Sequence, residues 1–182
     1  MKKIKTVAVL VVLMLASCEG GDNEKVFFKC LDVIIEEKKE YINYEDGEDY
    51  VSDLIRFEQE LKEVGYLEAA NKEGYEKLID KVIESEGKYK SFLENSKSDI
   101  FAFKSLINQV LFQCPLYCIE NSDEEFLTMK RQYSQMEKIE YHGFNKKEYI
   151  KELFKVTDTD DFDNFLFRIP FIYLFIVNAE GW

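Results

Sequence analysis

The chain contains little histidine, tryptophan or proline: its 182 residues include one histidine, one tryptophan and two prolines. Because His142 is the only histidine, a zinc site with two histidine ligands is impossible within one chain, and any Ser-His or Cys-His pair would need that residue. His142 lies in the sequence Tyr-His-Gly, which is typical of a surface loop, and no glycine-flanked serine indicates a nucleophile elbow. The sequence therefore predicts no catalytic residues and favours a protein that is not an enzyme.

Basic residues are also scarce, with 24 lysines and arginines against 36 acidic residues and a net charge of −12. Three of the lysines lie before residue 18, so the chain from residue 18 onward is more acidic still, near −15. Nucleic acids and anionic lipid headgroups both require a positive surface. The charge therefore argues against nucleic acid as a partner, and it suits solubility beside a membrane or a cationic partner.

The amino terminus has the pattern of a secretory signal peptide. A basic start is followed by an uncharged run from Val7 to Leu15, which is too short for a membrane-spanning helix of about 20 residues. The sequence Leu15-Ala16-Ser17-Cys18 resembles the lipobox of bacterial lipoprotein precursors. The resemblance implies that residues 1–17 are cleaved off and that Cys18 is lipidated and anchors the protein in a bilayer. An ordinary secreted protein with a chance cysteine near the cleavage site is the alternative.

Residues 18–24 combine the lipidated cysteine with an acidic, glycine-containing tether. Such a stretch has too little apolar surface to fold. Acidic residues directly after the cysteine also resemble the surface-export signal of Bacteroidota lipoproteins, and a simple solvated spacer is the alternative. We expect the protein to be lipid-anchored in the cell envelope, on the outer membrane, facing the periplasm or the cell surface.

Residues 25–182 form one predicted domain with a helix-forming composition. Apolar residues recur at helical spacing along most of it, beginning with a first helix at roughly residues 24–42. The apolar run from Phe171 to Val177 fits either a buried strand or a central helix starting at Pro170. We favour the helix because no second strand candidate could pair with the run. The sequence predicts an all-α fold of about seven or eight helices around this carboxy-terminal helix.

The carboxy-terminal sequence Phe-Leu-Phe-Arg-Ile-Pro, residues 165–170, follows an acidic start and precedes the apolar run. This arrangement resembles the ends of small uncharacterised helical proteins from Bacteroidota. The similarity implies a helical fold and no known activity.

Several residues are predicted to begin, end or interrupt helices. Ser98 is a predicted N-cap, and residues 122–125 have the sequence of a capping box. A helix that runs into Cys114 is expected to end there, because the residue before Pro115 is pushed away from helical torsions. Glu58 is a single polar residue on an otherwise apolar helix face.

Three cysteines remain after Cys18 is lipidated, and the expected compartment favours oxidation. Residues four apart on an unbroken helix have Cβ atoms ~6 Å apart, whereas a disulfide needs ~3.8 Å. If a disulfide forms, we favour Cys30 with Cys114 or Cys118, although a break at the intervening proline leaves Cys114–Cys118 open. Three buried thiols are the alternative. With His142 the cysteines could complete a zinc set, but the paired C-x2-C spacing of zinc ribbons is absent.

Four aspartates at 158, 160, 161 and 163 superficially resemble a calcium loop. The fifth position of the loop is Phe162, and neither the required glycine nor the closing glutamate follows. Carboxylates at a helix start are stabilised by the helix dipole without a metal. We therefore predict no metal and no cofactor. The eleven tyrosines are expected mainly at the core and its edge rather than in a sugar-binding platform.

Two functions are consistent with these patterns. The first is a non-enzymatic, membrane-tethered helical module that binds another envelope or surface protein through an apolar groove or an acidic face. The second is a ligand carrier or an enzyme with a pocket inside the helical bundle. A deep cavity with convergent polar groups favours the second, and a filled core favours the first.

Overall fold

The computed structural model describes residues 22–85, 87–121 and 127–181. Within these residues the fold is all-α, with nine α-helices and no strand, which confirms the predicted fold class. The lipobox, Cys18 and the predicted capping box lie outside the described residues. The helices are α1 (Asp22–Lys38), α2 (Gly47–Glu63), α3 (Lys72–Glu84), α4 (Lys90–Asn95), α5 (Ile100–Ser105), α6 (Cys114–Asn121), α7 (Leu127–His142), α8 (Lys147–Val156) and α9 (Ile169–Glu180).

The helix count exceeds the predicted seven or eight because the chain between residues 90 and 121 is divided into short pieces. A π-helical turn (Gln109–Gln113) leads directly into α6, and two 3-10 turns (Asp160–Asp163 and Phe165–Arg168) precede α9. Helix α1 begins at Asp22, inside the stretch predicted as tether, and ends earlier than the predicted residue 42.

Helix α9 is the centre of the domain. It begins beside Pro170, whose missing N–H costs nothing in the first turn, and every residue from Ile169 to Ala179 is buried. A helix that is apolar on all sides requires neighbours on all sides, and α2, α3 and α4 all pack against it. The run from Phe171 to Val177 is therefore helical, as predicted. Among the described residues, no helix combines the length and hydropathy of a membrane span.

The N-cap of α5 is Asp99 rather than the predicted Ser98. The Asp99 carboxylate accepts a hydrogen bond from the Ala102 N–H at 2.9 Å. Ser98 is buried and donates its hydroxyl to the carbonyl of Asp53 at 3.2 Å. The two neighbouring residues are both good N-caps by type, and the position of α2 decides which of them is used.

The predicted helix end at Cys114 is wrong, because the chain stays helical through Pro115 to Asn121. Pro115 cannot donate a hydrogen bond, and in a regular α-helix its ring would collide with the carbonyl four residues earlier. The preceding turn is widened into a π-turn, in which the Cys114 N–H bonds to the Gln109 carbonyl five residues back. The wider turn lets the helix pass the proline.

Helices α3 and α8 lie on one side of the domain. Helix α3 packs on α9, while α8 packs on α7, and the two touch each other at only a few positions. Gly74 places the start of α3 against the preceding loop, since a Cβ there would lie 2.0 Å from the Ala69 carbonyl oxygen. The Gln135 amide of α7 donates to the Tyr149 carbonyl of α8 at 2.9 Å. These attachments hold α3 and α8 apart and leave a groove between them.

Candidate functional site

The groove between α3 and α8, here called the α3–α8 groove, has a volume of about 350 Å³. The charged side chains on its rim are largely exposed, which shows that the groove is open to solvent. Its lining comes from five residues of each helix: Lys72, Glu76, Ile79, Asp80, Ile83, Lys147, Ile150, Lys151, Phe154 and Lys155.

The floor of the groove is apolar and rests on the core. Ile79 and Ile150 are buried, Ile83 is partly buried, and Phe154 stacks on Phe171 of α9 with ring centroids 4.4 Å apart. These residues are the edges of the apolar faces with which α3 and α8 pack on the core. The floor is therefore continuous with the core, and the partly buried Ile83 is the floor residue that leaves apolar surface accessible between the two helices.

The rim is basic, with four lysines against two acidic residues in a chain that is acidic overall. Lys147 lies 3.7 Å from Asp80 and 2.7 Å from Glu84, so it bridges the groove at one end. Its hydrogen bond with Glu84 raises the pKa of Lys147 and lowers the pKa of Glu84. Lys72 donates to the Thr157 carbonyl at 2.8 Å and closes the other end.

The lysines of α8 occupy every fourth position: Lys147, Lys151 and Lys155. Residues with this spacing share one helix face. Lys155 pairs with Glu152 of the same helix at 2.5 Å, whereas Lys151 makes no ion pair with any residue that the structure describes. The middle lysine is thus available to a ligand in the groove.

A second surface depression of about 650 Å³ lies beside the loop from Lys39 to Asp49 and is strongly acidic. Its carboxylates already act as helix caps. Asp46 accepts from the Asp49 N–H at 2.9 Å, and Asp49 accepts from the Glu45 N–H at 3.2 Å. The acidic groups are explained by local structure, so this depression is the weaker candidate.

The structure joins Cys30 of α1 to Cys114 of α6 by a disulfide, with Cα atoms 5.6 Å apart. Cys118 is a free, fully buried thiol one turn further along α6, and burial raises its pKa to about 12. Because the helix is unbroken between residues 114 and 118, those two cysteines are held at the spacing that does not allow a bridge.

The remaining sequence candidates are separate from the groove. His142 is the last residue of α7 rather than a loop residue, and it stacks on Tyr149 at 4.2 Å. Asp161 accepts a hydrogen bond from the Asp158 N–H at 2.8 Å, which is a local turn contact. Across the described ranges, no group of three or more His, Cys, Asp or Glu residues is arranged to hold a metal ion.

Two polar clusters inside the domain are structural. Tyr44 donates to the buried Asp53 carboxylate at 2.5 Å, and Asp53 also accepts from the Asp99 N–H at 2.9 Å. Tyr75 donates to the buried Glu58 at 2.5 Å, and Glu58 is paired with Arg168. Asp53 Oδ1 and Arg168 Nε are buried without a hydrogen bond, but each has an opposite charge beside it: Asp53 pairs with Arg56, and Arg168 Nε lies 2.9 Å from Glu58 Oε1. The clusters therefore balance their charges internally and are structural.

The groove residues were not singled out from the sequence. The sequence signal that could have identified them is the four-residue spacing of the lysines in α8, which is unusual in a chain with an acidic composition. Their assembly with Ile79 and Ile83 depends on how α3 sits beside α8, and no local pattern contains that information.

No family model matches the chain, and neither a curated protein nor a solved structure is significantly similar to it. Its function is therefore inferred from its own residues and geometry.

Proposed function

We propose that this protein is a membrane-tethered, extracytoplasmic helical module that binds another protein of the cell envelope or surface. The observation that carries the proposal is the α3–α8 groove, which combines a buried apolar floor with a basic rim on an acidic protein. An apolar centre inside a polar rim is the usual composition of a protein-binding surface.

The packing of the core supports an interaction module over a carrier or an enzyme with an internal pocket. Helix α9 is buried along its whole length, and the gap between α9, α7 and the π-turn holds only about 20 Å³. That space is near the minimum for a single water molecule. A small-molecule site normally needs several hundred Å³ with convergent polar groups.

The lipobox-like sequence supports the location. An acylated Cys18 would anchor the domain, since each buried CH2 contributes ~0.8 kcal/mol and several acyl chains act together. Cys18→Ala should move the protein from the membrane fraction to the supernatant, measured by fractionation and lipid labelling in the native host. Membrane retention with undiminished lipid labelling in this variant would contradict the anchor.

The binding role is tested by placing a photoreactive amino acid at Lys151 in the tethered, full-length chain in its native host. Lys130, an exposed lysine on α7, is the matched control position. We expect a discrete protein adduct from position 151, none from position 130, and loss of the adduct when Glu76→Trp fills the groove. Identical adducts from both positions, or none from either, would contradict the proposal.

A further inference from the structure

We infer that the α3–α8 groove accepts an amphipathic helix of the partner, with acidic side chains along the edge that faces α8. The inference rests on the proposed function and names the class of segment that the groove binds.

The shape of the groove suits a helix of the partner. Its lining residues span from Lys72 to Ile83 on α3 and from Lys147 to Lys155 on α8. At 1.5 Å per residue these spans are roughly 16 and 12 Å, or two to three helical turns. A third helix laid between α3 and α8 would place residues i, i+3 or i+4, and i+7 on the apolar floor.

The charges select an acidic helix. Lys147, Lys151 and Lys155 form a line along α8, in which the Cβ atoms of successive lysines are ~6 Å apart. Like charges at this spacing destabilise an isolated helix. Acidic residues at every fourth position of an opposing helix would pair with the unpaired Lys151 and would compete with Glu84 for Lys147 and with Glu152 for Lys155. A single anionic lipid headgroup concentrates its charge within a few ångströms and would contact only one or two of these lysines. The lysine line therefore fits an acidic helix better than it fits a lipid.

The opposite wall orients the partner. Glu76 and Asp80 of α3 face the lysine line, and the contact from Asp80 to Lys147 crosses the groove. Acidic side chains on the α3-facing edge of a bound helix would be repelled. The groove therefore prefers a helix with acidic residues on one edge only, which specifies the rotation of the partner about its axis.

The inference is tested with two synthetic helical peptides of roughly 14 residues, about four turns. Both carry the same leucine face. One has glutamate along one edge, and the other has lysine at the same positions. Binding to the Cys18→Ala chain is measured by fluorescence anisotropy at two salt concentrations, and NMR shift changes locate the site. We expect the acidic peptide to bind at least about tenfold more tightly, less so at high salt, with shifts at Ile79, Ile83 and Ile150.

Lys151→Glu should remove the preference for the acidic peptide, and Lys155→Glu should reduce that preference. Both residues are exposed, so the fold should be retained. Lys130→Glu makes the same charge change outside the groove and should leave binding unchanged. Equal affinity for the two peptides would overturn the inference.

Two other outcomes would also overturn it. One is binding of laurate or of phosphatidylglycerol vesicles in the groove without peptide binding, and the other is self-association that Lys151→Glu abolishes. The crosslinking experiment judges the proposed function separately. A groove-dependent adduct with a protein that lacks an acidic helix would leave the proposed function standing and refute this inference alone.

Discussion

Glu58 shows how one buried charge is accommodated. It lies on the buried face of α2 with 3% of its side chain exposed, and its Oε1 is 2.9 Å from Nε of Arg168, which is itself 14% exposed. Tyr75 and Lys62 also donate to it, at 2.5 and 3.1 Å. The carboxylate thereby connects α2, α3 and the turn before α9, and its buried oxygens are satisfied.

We expect Glu58→Ala to destabilise the domain by about 3–5 kcal/mol, because it leaves the Arg168 guanidinium buried without its counter-charge. Urea denaturation measures the change. Glu63→Ala removes an exposed carboxylate from the same helix and should change the unfolding free energy by less than about 0.5 kcal/mol. The double variant Glu58→Leu with Arg168→Met should recover most of the loss, and a double variant as unstable as the single one would contradict this account.

Buried tyrosine hydroxyls make the fold sensitive to alkali. Burial is the largest cause that raises the pKa values of Tyr44, Tyr50, Tyr75 and Tyr173 above the ordinary value. The hydroxyl of Tyr50 contacts that of Tyr173, which also donates to the Phe103 carbonyl at 3.0 Å. None of these four environments favours the ionised phenolate form of tyrosine.

We therefore expect stability to be fully present below pH ~10 and to fall above it, since tyrosine in the unfolded chain ionises near pH ~10 and these four do so only at higher pH. Phenolate absorbance and circular dichroism are followed together as the pH is raised. Part of the phenolate signal should appear only as helicity is lost. Complete ionisation of all eleven tyrosines with the helicity intact would contradict the prediction.

At the scale of elements, the disulfide connects helices that are far apart in sequence. Cys30 in α1 and Cys114 in α6 are separated by 84 residues. Closing a loop of this length restricts the unfolded chain, and the loop-entropy model gives about 4.5 kcal/mol before native-state strain is subtracted. The link would therefore contribute a large share of a typical domain stability of about 5–15 kcal/mol.

We expect protein from the envelope to show no reactive thiol when folded, one (Cys118) when denatured without reductant, and two more after reduction. Cys30→Ala with Cys114→Ala should lower the melting temperature much more than Cys118→Ala does. Three free thiols in the denatured, unreduced protein would show that the bridge does not form in the cell.

At the scale of the whole molecule, the residues that the structure describes share one core centred on α9. Phe171 is fully buried and stacks on both Phe154 and Phe162, at 4.4 and 5.1 Å between ring centroids. Its ring also lies under the floor of the α3–α8 groove, through Phe154. Damage to the core should therefore remove the groove as well.

Phe171→Asp should cost more than ~3 kcal/mol, because it places an unpaired charge in the core. Phe101→Asp is a matched control, since Phe101 is 64% exposed on α5. Thermal melting should show a large loss for the first variant and little change for the second. Equal melting temperatures would mean that α9 is not the core of the domain.

Local patterns predicted much of this fold. The helical period of the apolar residues and the proline at the start of α9 identified the fold class and the central helix, because both depend on neighbours within a few residues. The same local reasoning failed at Cys114 and Ser98. A π-turn decided the position at Cys114, and the hydrogen bond that Ser98 donates to the Asp53 carbonyl of α2 decided the other.

The sequence by itself determined that the chain is helical, that its carboxy-terminal segment is buried, and that Glu58 interrupts an apolar face. Only the tertiary structure decided that Cys30 pairs with Cys114, that Arg168 neutralises Glu58, and that the lysines of α8 face the isoleucines of α3. The first group follows from interactions between residues three or four positions apart, which the sequence displays directly. The second group depends on which helices pack together, and that choice is made by the shape and burial of the whole core.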